Sequence, residues 1–209
     1  MWDGISIIME LLDGTLEHRI ASRVRSLRQE LGMTLDDLSR QSGVSRAAIS
    51  VIERGESSPT ASILEKLAAG LGVTLASLFA EPEHPDAAPI SRHADQQSWT
   101  DPESGYVRRN LSPRSYPSPL ELVEVLIPPG ARVAYDSSSR LSVVDQQVWV
   151  ISGRIEIQDG ERIWELAPGD CLAMRLENPV RFSNPGPEAA RYLVALTNTQ
   201  ASSRKRKSQ

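Results

Sequence analysis

Apolar residues recur at helical spacing from Leu16 to Phe79, and beyond residue 105 they alternate with polar ones, so the chain divides into an α part and a β part. Ile20, Val24, Leu27 and Leu31 share one helical stripe and predict a helix closing at Gly32. Thr34, with Asp37 three residues later, reads as a weaker capping box that opens a short helix with Leu35 and Leu38 turned inward. Ser42-Gly43 ends it, the glycine supplying the left-handed backbone of a tight turn. Ser45 caps a third helix whose core contacts are Ile49 and Ile52, and Gly55 stops it. Pro59 and Thr60 start a fourth, carrying Ile63, Leu64, Leu67 and Leu71. Thr74 caps a fifth with Leu75, Leu78 and Phe79. The pattern predicts a five-helix bundle over residues 16–80.

Pro82, Pro85 and Pro89 then interrupt a stretch without apolar period, which predicts a semi-extended linker over 81–104. The alternating segments that follow predict strands at 107–111, 120–127, 132–135, 147–151, 154–158, 162–166, 171–174, 180–183 and 192–196. Turn signals separate them, with Asp159-Gly160 marking a two-residue hairpin. Many short strands at regular spacing predict an antiparallel barrel or sandwich over 105–198. Residues 1–15 are expected to be a frayed or variable extension, either a short amphipathic turn around Ile5, Ile7, Ile8, Leu11 and Leu12 or a segment preceding a start at Met9. Residues 199–209 are expected to form a disordered basic tail.

Composition narrows the function classes. The 209 residues suit one or two domains, and 40% hydrophobic with 24% charged residues is ordinary globular usage. Apolar stretches fall far short of the roughly 18 residues a membrane span needs. An acidic N-terminus without Lys or Arg before Arg19 argues against a secretory signal. The single cysteine, Cys171, excludes an intrachain disulfide framework and is expected to be a small buried hydrophobe. These features point to a cytoplasmic protein. Residues 17–80 carry eight bases against seven acids and residues 81–203 eleven against seventeen, so charge alone does not indicate nucleic acid. The three histidines, His18, His84 and His93, all precede the β part, which leaves it without histidine for metal or catalysis.

Thr34–Gln41, Ser42-Gly43-Val44 and Ser45–Arg54 supply a supporting helix, a glycine turn and a second helix in order. Residues 32–60, GMTLDDLSRQSGVSRAAISVIERGESSPT, closely resemble the lambda-repressor-like (XRE-type) helix-turn-helix family, and the similarity runs on through LEKLAAGLGV at 64–73 to Phe79. The resemblance implies DNA binding through Ser45, Arg46, Ala47 and Val51 in the major groove. Ser50 and Arg54 lie on the same helix. Arg46 suits guanine, whose O6 and N7 a guanidinium can bridge; a phosphate contact is the alternative. Where many family members have Gln to orient a phosphate contact this chain has Leu35, so Thr34 is expected to serve through its hydroxyl or backbone N–H. The family pattern also implies an ion pair between Arg28 and Glu53.

The order QQVWVISGRIEI (146–157), LAPGDCL (166–172) and NPG (184–186) resembles the cupin family and implies a jelly-roll barrel over about 105–197. The family's metal ligands are missing: its glutamate position holds Gln146, its paired histidine positions fall among Ser139, Arg140, Leu141 and Ser142, and its last histidine position holds Val180. Amide, hydroxyl and isopropyl groups do not hold a catalytic metal, so neither metal nor cofactor is expected and the chain does not read as an enzyme. Arg140, Ser142, Gln146, Trp149 and Arg181 are candidates for lining an effector pocket, the arginines suggesting an anion. The reading is therefore a multidomain α and β chain: a regulator that binds a palindromic double-stranded operator as a homodimer, with a metal-free cupin-like barrel that pairs subunits and senses a small molecule. Two alternatives stay open: a barrel that only dimerises, and a cupin enzyme fused to a DNA-binding module.

Overall fold

The computed structural model describes the backbone of residues 3–79, 86–135 and 144–198, and side chains from Leu16 up to Thr197. Four α-helices, α1 (Asp3–Glu30), α2 (Leu35–Ser42), α3 (Arg46–Glu53) and α4 (Ala61–Gly70), precede an antiparallel β region. The helix expected from residue 16 begins at Asp3, so the segment read as an extension is helical backbone continuous with α1. Leu16, Ile20, Val24 and Leu27 are buried, but Leu31 is 49% exposed. The chain reverses there, with Gly32 N–H on the Gln29 carbonyl at 2.9 Å and Met33 N–H on that of Arg28 at 3.0 Å. Met33 thereby packs against the core instead of Leu31.

Local signals set the next three helices. Thr34 accepts from Asp37 N–H while Asp37 accepts from Thr34 N–H, a complete capping box. Gly43 takes φ +69° and donates to the Ser39 carbonyl, and Ser42 Oγ donates back to the Leu38 carbonyl at 2.7 Å. Ser45 and Thr60 cap α3 and α4 through their hydroxyls. The fifth helix expected after Thr74 is a single 3-10 turn, Ala76–Leu78, in which Thr74 Oγ1 still accepts from Ser77 N–H at 3.0 Å.

The β region holds ten strands: β1 (Ser98–Thr100), β2 (Val107–Asn110), β3 (Leu120–Ile127), β4 (Arg132–Tyr135), β5 (Val144–Ser152), β6 (Ile155–Asp159), β7 (Arg162–Leu166), β8 (Cys171–Arg175), β9 (Val180–Ser183) and β10 (Ala190–Asn198). They form a six-stranded sheet in the order β1-β2-β3-β10-β5-β8 and a four-stranded sheet in the order β4-β9-β6-β7, closed over one core in jelly-roll fashion. β1 lies inside the stretch read as linker: buried Trp99 docks it against β2, and three residues are too few to show a period. Gly153, between β5 and β6, has φ +74°, and a Cβ there would lie 2.6 Å from the Ala190 backbone; only glycine lets the hairpin pass β10 this closely.

Helices and barrel are clasped by polar contacts. The Ala61 N–H that opens α4 donates to Asp101 Oδ1 at 2.8 Å, and the Thr74 and Ser77 hydroxyls donate to the two Glu121 carboxylate oxygens at 2.8 and 3.0 Å. Phe79 meets Trp99 at 5.6 Å between ring centroids.

Candidate nucleic-acid interface and barrel interior

Ile49 and Ile52 anchor α3 in the core, leaving Arg46, Ala47, Ser50, Val51 and Arg54 on the opposite side as a stripe at i, i+1, i+4, i+5 and i+8. Ala47, Arg46, Arg54 and the cap residue Ser45 are exposed, and Ser50 and Val51 half-buried. Arg54 donates to Ser50 Oγ at 2.6 Å and makes a two-bond contact with Glu56. Arg46 lies 3.5 Å from Asp36 of α2, both side chains about two-thirds exposed (66% and 67%). Such a pair in water is weak, so its guanidinium can leave. Thr34 is exposed, but its N–H and its hydroxyl both donate to Asp37, which leaves neither for a phosphate while the capping box is closed.

Arg28 and Glu53 meet as the family pattern implies. Nε to Oε1 is 2.7 Å and Nη2 to Oε2 is 2.8 Å, with side-chain exposures of 12% and 7%, and Nη1 also donates to the Met33 carbonyl. This partly buried fork ties α1 to the end of α3 and fixes the angle at which α3 presents its stripe.

Inside the barrel the expected lining is partly corrected. Gln146 points inward and is buried, its amide within 2.9 Å of Met174 Sδ. Trp149 points outward and is 48% exposed, and Arg181 is exposed on the outer side of β9. The reason is strand parity: β5 buries Val144, Gln146, Val148 and Val150, so residue 149 lies on the other face. Arg140 and Ser142 lie outside the described residues. Cys171 is exposed rather than buried, because its register opposite Trp149 puts it on the same outer face. Gln146 and buried Val180 do not fit a metal, and among the described residues no cluster of three His, Cys, Asp or Glu forms.

The polar groups that do face inward escape the sequence reading. Arg108 of β2 is buried, with Nη1 3.4 Å from the Tyr106 hydroxyl and its guanidinium carbon 5.9 Å from the Phe79 ring centroid. Tyr135 and Tyr192 flank the same space, and burial pushes both hydroxyls well above the usual tyrosine range, so they stay neutral. Burial also raises the Glu121 carboxyl, opposed by hydrogen bonds from Thr74 and Ser77 and by the charge of Arg108. The four-residue strand VRRN offers no apolar period from which an inward arginine could be read.

Among the described residues no helix is long and apolar enough to cross a membrane. The helix-turn-helix family HTH_3 matches residues 24–78. The chain is 27% identical over 179 residues to the HTH-type transcriptional regulator PuuR of Escherichia coli, spanning 85% of this chain and 94% of that protein. It is 37% identical to the E. coli HTH-type transcriptional regulator SutR over 79 residues, 38% of this chain and 43% of that one. The crystal structure of an HTH_3 family transcriptional regulator from Vibrio cholerae superposes with a TM-score of 0.69 at 25% identity, covering 88% of this chain and 98% of that one. Residues 24–78 are thus a helix-turn-helix domain of the XRE-type HTH_3 family, borne on a chain homologous to HTH-type transcriptional regulators.

Proposed function

We propose that this chain is a cytoplasmic, sequence-specific DNA-binding transcriptional regulator that binds a two-fold operator as a homodimer and whose barrel both pairs the subunits and holds a small-molecule effector. The observation that carries the proposal is the stripe of exposed Arg46, Ala47 and Arg54 with half-buried Ser50 and Val51, on a helix pinned from behind by Ile49, Ile52 and the Arg28–Glu53 fork. Arg46 reads a base edge; Ala47 and Val51 suit the thymine methyl. The catalytic reading loses support because the barrel offers an amide and an isopropyl group where metal ligands would stand. Selection of binding sequences from a random duplex pool, followed by gel shift, tests the function. The expected outcome is a sequence with half-sites about 10 bp apart. Recovery of unenriched sequence, with equal retention of all duplexes, would remove sequence-specific regulation.

The subunit contact is argued from the outer face of the six-stranded sheet. Trp149 is exposed there between Leu193 and Cys171, with Leu126 exposed on the same sheet. An exposed Trp beside apolar neighbours, bordered by the Arg109–Glu124–Arg191 ion network, is the kind of anchor an isologous interface uses. Trp149→Asp is expected to convert a dimer into a monomer in light-scattering chromatography while leaving barrel circular dichroism unchanged, since Trp149 is outside the core. An unchanged dimer mass moves the interface elsewhere.

A further inference from the structure

The barrel interior contains a buried guanidinium with one open hydrogen-bonding edge. Arg108 is 7% exposed, and its Nη2 is buried with no hydrogen-bond acceptor among the described residues. Guanidinium does not shed its proton in a protein, and a buried N–H without an acceptor costs the fold stability. A side chain that only had to fill space here would be apolar.

Arg108 forms a wall shared by two cavities. One, of about 50 Å³, lies at the barrel end that Thr74 and Leu75 of the helical domain cover, and is bounded by Tyr106, Tyr135, Gln146 and Tyr192 with apolar residues between them. The other, of about 110 Å³, lies between the barrel and the end of the helical domain, where Phe79 and Glu121 border it. The inner cavity exceeds the ~10–15 Å³ that one water requires. Of its lining residues Arg108 is the sole base, and buried Glu65 of α4 stands in the same wall. A single base in the lining can neutralise one negative charge and not two.

We infer that the effector is a small molecule bearing one carboxylate, which is received by the Nη2 edge of Arg108. This rests on the effector-sensing reading proposed above. Neutral Tyr135 and Tyr192 hydroxyls and the Gln146 amide are the neighbouring hydrogen-bonding groups, and Val125, Val194 and Leu196 surround a short apolar remainder. The site is wired to the DNA-binding half. Arg108 supports the charge of Glu121, and Glu121 holds the Thr74 and Ser77 hydroxyls. A ligand carboxylate that takes over Arg108 withdraws that support and loosens the clasp between the domains.

The test uses the intact full-length protein and thermal-shift and calorimetric titration with four probe sets: monocarboxylates from acetate to hexanoate together with small amino acids, the matching alcohols, aliphatic diamines, and inorganic phosphate. Monocarboxylates are expected to raise Tm and the other three sets to leave it unchanged. Arg108→Met is expected to weaken carboxylate binding by roughly tenfold or more, the loss of a charge-assisted pair, whatever it does to the ligand-free Tm through Glu121. Arg108→Gln, closer in shape, is expected to show the same loss if the methionine variant misfolds. A merely structural Arg108 would leave carboxylate binding intact in both variants, which overturns the inference. Binding of alcohols, diamines or phosphate that survives Arg108→Met overturns the carboxylate class while the sensor stands. If no set moves Tm, the effector reading falls too and the barrel is a dimerisation scaffold.

Discussion

Glu53→Ala is expected to destabilise the helical domain by about 2–3 kcal/mol, the cost of leaving a partly buried charge without its carboxylate. Arg28 would then keep only the Met33 carbonyl, in a site where its side chain is 12% exposed. A domain's whole stability is about 5–15 kcal/mol, so the loss is a large share and DNA recognition should go with it. Arg28→Met with Glu53→Met is expected to be far milder than the sum of the single changes, since an apolar pair leaves no orphaned charge. Urea unfolding followed by far-ultraviolet circular dichroism, with amide exchange to assign the loss to α1–α4, measures the cycle. Single variants within about 1 kcal/mol of wild type would show a pair screened by solvent, of the kind that contributes little.

The helical half was legible because its signals are local. Thr34 and Asp37, Gly43, Ser45 and Thr60 each act within four residues, and the caps and left-handed turn they predict are present. The Arg28–Glu53 contact joins residues 25 apart and was reachable through the family resemblance alone. The start of α1 was not legible, because Gly14 and the scattered acids weaken the helical pattern over the first turns.

The barrel's strands were legible from alternation and turns, but its interior was not. Alternation says that two faces exist; only the partner strands decide which is inside. Gln146 and Trp149 lie an odd number of residues apart on one strand, so one of the two had to face outward. Glu121 and Thr74 are 47 residues apart and meet through the docking of two domains, which no local pattern encodes.

Arg46→Ala is expected to weaken operator binding far more than binding to random duplex. A bidentate arginine–guanine contact is worth about 1–3 kcal/mol, and a two-fold dimer makes it twice. The combined loss corresponds to roughly thirtyfold to twenty-thousandfold in affinity. Folding should be untouched, because Arg46 is 66% exposed and holds only Asp36 at 3.5 Å. Asp36→Asn changes the same pair from the other side and should act with the opposite sign. Removing the acid beside Arg46 is expected to strengthen binding to operator and random duplex alike, most at low salt. Gel shifts of both variants on both duplexes across a salt series separate the roles. Base reading predicts a change in the operator-to-random ratio for Arg46→Ala at every salt concentration. If Arg46→Ala instead weakens both duplexes equally and flattens the salt dependence, the side chain contacts phosphate, and specificity passes to Ser50, Val51 and the shape of the groove.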